Sequence, residues 1–230
     1  MHARLAPAPL VALPVALATF AWFPDRVGVW GAVWALVGWA GGSALLAQIG
    51  RDAGRRKESR LFETWGGKPT TRILRHREPE KNVVLLERRH KKLKALMHGV
   101  KLPSVDEEVA DPQTADATYE ACTTFLRERT RDHKKFPLIF QENCSYGFRR
   151  NLWGLKAIGF VSALAGLMVI CGVPLVDAAA RTGVRLAVVV VCGGLNFLLT
   201  LGWLFVFTPS WVKVPADAYA ERLLGAVENL

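Results

Sequence analysis

Apolar and polar positions divide this chain of 230 residues into long apolar runs and one long polar segment. Four runs of 20 to 27 residues contain no Asp, Glu, Lys or Arg, namely residues 5–24, 27–50, 157–176 and 186–212. Because a helix rises about 1.5 Å per residue, each run can cross a hydrocarbon core about 30 Å thick. The pattern predicts an all-α integral membrane protein with four transmembrane helices, one pair in residues 1–50 and a second pair in residues 157–212.

The first apolar run has a second interpretation. A short basic start, MHAR, followed by apolar residues also resembles a signal peptide that is cleaved from the mature protein. The run is longer than the apolar region of a typical signal peptide, and a second run follows almost at once, which favours a transmembrane helix. Whether the first run is cleaved stays open.

Residues 51–156 carry most of the charge. They hold 24 Lys and Arg against 15 Asp and Glu, a net charge of +9 out of +10 for the whole chain. Since Lys and Arg beside transmembrane helices stay on the cytoplasmic side, this segment and both termini are predicted to be cytoplasmic. The connections at residues 24–26 and 177–185 then face outward.

Helix-ending residues predict that the cytoplasmic segment is a module of short helices. Residues 51–65 continue the second transmembrane helix until Gly66 and Gly67, since glycine readily takes the left-handed conformation after a helix. Later helices are predicted over residues 80–97 and 112–132 and after Pro137 into the third transmembrane helix, with Ser104 and Asp111 as N-caps. Such helices bury only a small core, so we expect other copies of the chain to complete it as a homo-oligomer.

Residues 213–230 are the last predicted element. An apolar stripe of Tyr219, Leu223, Val227 and Leu230 indicates an amphipathic helix beside the membrane. Such a helix packs on the cytoplasmic module or lies in the membrane interface.

The chain lacks the common signatures of catalysis and of metal binding. It contains no GxSxG, Walker A, HExxH or GxGxxG motif, and its four cysteines form no CxxC pair. His76, His90, His98 and His133 are scattered among basic residues and are predicted to be surface side chains. The sequence therefore predicts no enzyme, no metal site and no cofactor.

A basic stretch with helix-start signals is the best candidate for binding. In GGKPTT, glycines, a lysine and threonines precede a predicted short helix, whose free N–H groups attract anions. Arg72, Arg75 and His76 are expected to share one face of that helix, with Trp65 as a stacking surface. One interpretation is a site for a polyanion such as a nucleic acid; the other is that the charge only fixes topology or touches anionic lipid. The predicted phosphate contacts are Arg55, Arg56, Lys57, Lys68, Arg72, Arg75 and Arg77, with Arg149 and Arg150 as second candidates.

Small and polar residues mark the transmembrane helices. Gly38 and Gly42 form a GxxxG pair, which lets helices approach closely. Asn196 is predicted to join helices between subunits, with lining of a pore as the alternative. No apolar run contains a charge, which argues against an ion-coupled transporter. Four helices in one copy leave little room for an aqueous path, so a pore would need several copies around an axis.

The layout of the chain resembles a known family. Two apolar spans, the stretch RDAGRRKESRLFETWGGKPTTRILRH, then ENCSYGFRRNLWGLKAIG and two more spans are similar to the membrane effector of the Hailong anti-phage defence system, over about residues 28–210. The resemblance implies a homo-oligomeric ion channel in the bacterial inner membrane. It also implies that single-stranded DNA, made by a partner nucleotidyltransferase, binds the cytoplasmic face and holds the channel shut until infection removes it.

Two functions therefore stay open. The first is an oligomeric ion channel of anti-phage defence, gated by a nucleic acid that binds the basic module. The alternative is a membrane scaffold without a channel, whose basic segment binds anionic lipid or an acidic protein partner.

Overall fold

A computed structural model describes residues 7–23, 29–79 and 82–230 and, except at residues 7, 8, 29–41, 179 and 180, their side chains. Within these ranges every regular element is helical, which confirms the predicted all-α class. The α-helices are α1 (Pro7–Trp22), α2 (Val29–Thr64), α3 (Pro69–Arg72), α4 (Val83–Leu96), α5 (Val105–Ala110), α6 (Pro112–Arg129), α7 (Pro137–Gly154), α8 (Lys156–Val176), α9 (Gly183–Leu201) and α10 (Pro209–Gly225). A π-helical segment, Gly202–Val206, extends α9, and short 3₁₀ helices lie at Ala178–Arg181 and Ala226–Asn229.

Contacts divide the chain into two units. The apolar unit is Met1–Glu58 with Gly147–Val212, and the polar unit is Ser59–Tyr146 with Lys213–Leu230. The boundary between them falls inside α2, α7 and α10. Residues 51–58 and 147–156 of the predicted cytoplasmic segment therefore belong to the apolar unit.

The apolar unit packs α1, α8 and α9 against one another. Its inner surface is small and mostly aliphatic, with Ala18 of α1, Ile170 and Val173 of α8, and Val189 of α9 in contact. None of these side chains carries a polar group, so close van der Waals packing joins the three helices at this surface.

Two of the described helices, Lys156–Val176 and Gly183–Val206, are long and apolar enough to cross a membrane, and less than a third of each is buried. Helix α1 is also apolar but shorter. The predicted second span, residues 27–50, lies partly on residues outside those whose side chains are described.

Glycines bring α2 and α7 together inside the apolar unit. A Cβ atom on Gly50 would lie 2.7 Å from Leu155 Cδ1, and one on Gly54 would lie 3.0 Å from the Arg150 carbonyl oxygen. Gly50 and Gly54 thus form a GxxxG pair in contact with a neighbouring helix. Among the described atoms, a Cβ atom on Gly42 would meet nothing within 4 Å, and Gly38 lies outside the residues whose side chains are described.

The polar unit has a core of its own, to which the last helix contributes. Leu93 of α4, Tyr119 and Leu126 of α6, and Leu223 and Leu224 of α10 are fully buried in one cluster. The C-terminal stretch therefore packs on the helices of this unit, which is one of the two positions predicted for it. It adds apolar surface that short helices between residues 59 and 146 would otherwise lack.

Local signals set several helix ends as predicted. Gly66 and Gly67 follow α2 with φ angles of 75° and 129°, in the left-handed region. Ser104 forms the predicted capping box with Glu107, and Asp111 caps α6 by accepting hydrogen bonds from backbone N–H groups.

The sequence predicted a short helix that carries Arg72, Arg75 and His76. Its predicted length is wrong, because α3 ends at Arg72. Beyond it, the backbone N–H groups of His76 and Arg77 donate to the Glu108 carboxylate at 2.8 and 3.1 Å. A buried carboxylate on α5 thus takes the N–H groups that another helical turn would have used.

Two further boundaries differ from the prediction. Helix α4 begins at Val83 because Asn82 caps it, accepting from the Leu85 N–H at 3.1 Å; the predicted start at residues 80–81 lies outside the described residues. The predicted run into the third span is interrupted at Leu155, after α7 ends at Gly154.

Candidate functional site

The positive charge is distributed unevenly between the two units. The polar unit holds 19 Lys and Arg against 16 Asp and Glu. By contrast, residues 51–58 and 147–156 hold seven Lys and Arg against two Asp and Glu. We name these seven side chains the basic cluster: Arg51, Arg55, Arg56, Lys57, Arg149, Arg150 and Lys156. More than half of the surplus charge of residues 51–156 therefore lies in the apolar unit.

Four of the predicted phosphate-contacting residues lie in the polar unit, and each is paired with a carboxylate. The pairs are Lys68–Glu120, Arg72–Glu78, Arg75–Asp116, Arg77–Asp116 and Arg77–Glu108. A polyanion at these side chains would have to compete with carboxylates that already neutralise them.

Three hydrogen bonds hold the guanidinium group of Arg75 in place. Its Nε and Nη2 atoms donate to the two oxygens of Asp116 at 2.8 and 2.7 Å, and its Nη1 atom donates to the Gly66 carbonyl at 2.6 Å. The side chain joins the turn after α2 to helix α6 and is only 10% exposed. Its two parallel bonds to one carboxylate are the strong geometry of an arginine pair, so Arg75 acts as a structural clamp.

Glu108 is the most deeply buried carboxylate of the described residues. It accepts from the Tyr119 hydroxyl at 2.7 Å, from Arg77 Nη1 at 2.8 Å and from the backbone N–H groups of His76 and Arg77. Burial alone would raise the pKa of this carboxyl, but the four donors outweigh burial and lower its pKa. Burial, followed by the bond to Glu108, raises the pKa of Tyr119.

His90 is buried, so the prediction that it is a surface side chain is wrong. Its Nε2–H donates to the Leu74 carbonyl at 2.9 Å, since a carbonyl can only accept. Its ring lies 4.9 Å from that of His76 and 5.7 Å from that of Tyr119. Burial is the main cause that lowers the pKa of His90. Among the described residues, no group of His, Cys, Asp and Glu is arranged to hold a metal ion.

The second-candidate residues Arg149 and Arg150 belong to the basic cluster. Arg149 donates to the Trp211 carbonyl at 2.9 Å, and its guanidinium lies 4.7 Å from the centre of the Trp211 ring. Arg150 forms an ion pair with Glu58 at 2.9 Å. Both side chains hold helices of the apolar unit together while keeping their positive charge in the cluster.

Lys57 joins α2 to α7 at the same place. Its Nζ atom donates to the Gly154 carbonyl at 3.0 Å and lies 5.6 Å from the centre of the Trp153 ring. Neither partner is an anion, so the ammonium charge is not neutralised by these contacts. An aromatic ring beside a cation also offers a surface on which a base could stack.

Arg55 and Arg56 are exposed, and within the described part of the chain no ion pair involves either of them. They are the predicted contacts whose charge is most available to a ligand. Trp65, predicted as a stacking surface, is only 8% exposed and packs against Phe62, so that prediction is wrong.

Asn196 joins two helices of one chain. Its Nδ2 atom donates to the Pro14 carbonyl at 3.3 Å, which links α9 to α1, and the side chain is fully buried. A Cβ atom on Gly166 of α8 would lie 3.2 Å from that same Nδ2 atom. The amide therefore sits where three helices of the apolar unit meet.

Sequence reasoning missed Glu108 and Asp116, which organise the arginines of the polar unit, and Trp153 and Trp211, which lie beside cations of the basic cluster. The GxxxG spacing of Gly50 and Gly54 was a visible signal for their contact. The chain carries no comparable signal for the carboxylates.

Comparison of the chain with protein-family models, with curated proteins and with solved structures found no match. The resemblance to the Hailong effector stays a prediction, and the function is inferred from the residues described above.

Proposed function

We propose that this chain forms an oligomeric membrane effector, an ion channel gated by a nucleic acid that binds the basic cluster. The resemblance to the Hailong effector makes single-stranded DNA the ligand and anti-phage defence in the bacterial inner membrane the role. The observation that carries the proposal is the basic cluster: seven cations against two carboxylates, next to apolar helices, with Arg55 and Arg56 exposed.

Exposed apolar side chains support the membrane part of the proposal. Val161, Met168, Val190 and Leu198 on α8 and α9 are each more than 60% exposed. A water-soluble protein would bury such helices, whereas a bilayer supplies the apolar surrounding that they lack. With α1 and the apolar half of α2 they make four transmembrane helices, with both termini in the cytoplasm.

The interior of a single copy supports an oligomeric pore. Within the described residues, the packed faces of α1, α8 and α9 are apolar, and Asn196 donates to a backbone carbonyl. One copy therefore offers ions no polar path between these helices, and a pore requires several copies around an axis.

Repulsion supplies a reason for gating. Several copies would bring several basic clusters close to one another around the axis, and a bound polyanion would relieve their mutual repulsion. The cluster belongs to the unit that contains the apolar helices, so occupation of the cluster can favour one arrangement of those helices.

A binding experiment tests the nucleic-acid part directly. The full chain, purified in detergent, is titrated with a fluorescent single-stranded oligonucleotide at several salt concentrations. For Arg55→Gln/Arg56→Gln we expect the slope of log affinity against log salt to fall by about 1.4, since each lost single-strand phosphate contact contributes about 0.7.

The matched control is Lys101→Gln/Arg131→Gln. It removes the same charge from two side chains that are 81% and 79% exposed but paired with Glu107 and Glu128. We expect its salt slope to equal that of the wild type. Equal slopes for both double variants, or no binding at low salt, would rule out the basic cluster as a nucleic-acid site. Ion flux in liposomes, with and without oligonucleotide, then tests the channel.

A lipid-binding scaffold is the second candidate, favoured by the position of the basic cluster. Lys156 opens α8, and Arg51 follows the apolar run of α2 directly. Cations beside the ends of transmembrane helices can contact anionic headgroups, and each such attraction contributes about 1 kcal/mol to membrane binding. Co-purified anionic lipid without nucleic acid, together with liposomes that stay sealed, would favour this function.

A further inference from the structure

A cleft in the polar unit shares no residue with the basic cluster. It has a volume of about 640 Å³, which is within the usual range for a small-molecule site. Helices α3, α4 and α10 line it, together with four described residues between α3 and α4, and its apolar wall includes Ile73, Leu85 and Leu86.

The charged side chains of this cleft are three cations and three carboxylates: Arg72, Arg89, Lys213, Glu78, Asp217 and Glu221. The two arginines are the deep cations: the Arg89 side chain is 8% exposed and that of Arg72 is 26% exposed. The carboxylates of Asp217 and Glu221 are 48% and 56% exposed. Glu78, which is 19% exposed, pairs with Arg72 at depth, whereas Asp217 and Glu221 lie at the rim and can turn toward water at little cost.

Arg89 has one buried N–H group that donates to no described residue. Its Nη2 atom donates to Glu221 at 2.5 Å, but its buried Nε atom has no hydrogen-bond partner among the described residues. A buried guanidinium N–H without an acceptor is unfavourable. The Nε and Nη2 atoms lie on the same edge of the guanidinium, and that edge fits two oxygens of one phosphate group.

We propose that this cleft binds a phosphate monoester. Arg89 holds two phosphate oxygens in place of Glu221, and the apolar wall packs against the body of the molecule. Two sources share this chemistry: a free phosphorylated small molecule and the phosphorylated end of a nucleic-acid strand. The site does not depend on the proposed channel, because none of its residues belongs to the basic cluster.

Thermal stabilisation and calorimetric titration of the full chain in detergent test the site, with deoxythymidine monophosphate (dTMP) and thymidine as paired probes. We expect dTMP to bind and to raise the melting temperature, and thymidine to do neither. Glu221→Gln removes the competing carboxylate and is expected to tighten dTMP binding by about three- to fivefold. Arg89→Gln is expected to abolish binding.

Arg88→Gln is the matched control, since Arg88 is the preceding residue, is exposed, and pairs with Glu228 outside the cleft. Its affinity for dTMP should equal that of the wild type. Because Arg89 is buried and its variant could fail to fold, the decisive variant is Glu221→Gln. Equal effects of dTMP and thymidine, or no tightening in Glu221→Gln, would overturn the proposal.

Competition then identifies the source of the phosphate. A 5′-phosphorylated thymidine oligonucleotide is compared with its 5′-hydroxyl form for displacement of dTMP. Displacement by the phosphorylated form alone supports the end of a strand, and displacement by neither supports a free small molecule. Equal displacement by both would show that the 5′-phosphate is not what the cleft recognises and would overturn the proposal. Since no ion flux is measured, failure of the channel would leave the result unchanged.

Discussion

The backbone of Gly154 on α7 lies directly against that of Gly54 on α2. A Cβ atom on Gly154 would stand 2.5 Å from the Gly54 nitrogen and 2.8 Å from its Cα atom. Such a close approach is possible only where both residues lack a side chain. Lys57 and Arg150 are close by on the same two helices, so the glycine contact sets the spacing of the basic cluster.

We expect Gly154→Ala to destabilise the apolar unit, because the added methyl group would collide with backbone atoms that cannot rotate away. Overpacking of this kind typically costs about 1 to 3 kcal/mol, and the cost here should lie at the upper end. The melting temperature of the purified variant in detergent measures the effect.

Gly42→Ala is the control for that prediction, because its methyl group would meet no atom of the described residues within 4 Å. As a monomer, this variant should have the melting temperature of the wild type. If Gly154→Ala and Gly42→Ala melted at the same temperature, the close contact between α2 and α7 would be refuted.

Glu108→Gln should destabilise the polar unit. The substitution keeps the size of the side chain but removes the charge that balances Arg77 and, with one oxygen, the acceptor for two of the four donors. Loss of one partner of a buried, hydrogen-bonded pair typically costs about 3 to 5 kcal/mol, and the remaining amide oxygen should limit the loss to about 2 to 4 kcal/mol. Chemical denaturation followed by circular dichroism measures it.

Glu87→Gln is the matched substitution on the exposed face of α4. It should change stability by less than about 0.5 kcal/mol, as is usual for surface positions. Equal stability of the two variants would mean that the buried carboxylate does not hold the segment after α3.

Acid should weaken the polar unit through His90. Burial lowers the pKa of this histidine in the folded chain, whereas in the unfolded chain the pKa is about 6.5. As the pH falls through about 6.5, the unfolded chain binds a proton that the folded chain does not, so stability is present above that pH and is lost below it. The groups facing His90 are His76, Lys94, Glu108 and Tyr119.

His90→Gln isolates that contribution, because glutamine can still donate to the Leu74 carbonyl but does not titrate. We expect the melting temperature of the wild type to fall more steeply than that of the variant between about pH 7.5 and about pH 5.5. The lowered pKa of Glu108 matters only at more acidic pH, where that carboxylate becomes protonated. Parallel curves for both proteins would exclude His90 as the source.

The features that sequence predicted well depend on residues close together in the chain. Gly66 and Gly67 end α2, and Ser104 and Glu107 cap α5, because these interactions need only a few consecutive residues. The apolar runs are likewise read from consecutive positions, and two of them match helices long enough to cross a membrane.

Which arginines are paired with carboxylates could not be predicted in the same way. Arg75 lies 41 residues before Asp116 in the chain, and Arg77 lies 31 residues before Glu108. A count of charges cannot tell which cations are neutralised by distant carboxylates. The GxxxG spacing alone also does not show which glycines pack against a helix. Gly38 and Gly42 have the same spacing as Gly50 and Gly54.

Asn196→Leu should leave both folding and ion flux nearly unchanged. The side chain is buried among helices of one chain, and its Oδ1 atom has no hydrogen-bond partner among the described residues. Leucine of similar size removes that unsatisfied acceptor together with one hydrogen bond to Pro14. Polar contacts between membrane helices average about 0.6 kcal/mol, so the net change in stability should be less than about 1 kcal/mol.

Asn196→Asp shows whether the measurement responds at this position. A carboxylate among apolar helices without a cation should lower the melting temperature clearly. Flux through liposomes containing the folded Asn196→Leu variant decides the role of the amide. Flux equal to that of the wild type agrees with a packing role inside one chain. Its loss in a protein that melts normally would place Asn196 on the ion path, and the pore would then lie among the helices of a single copy.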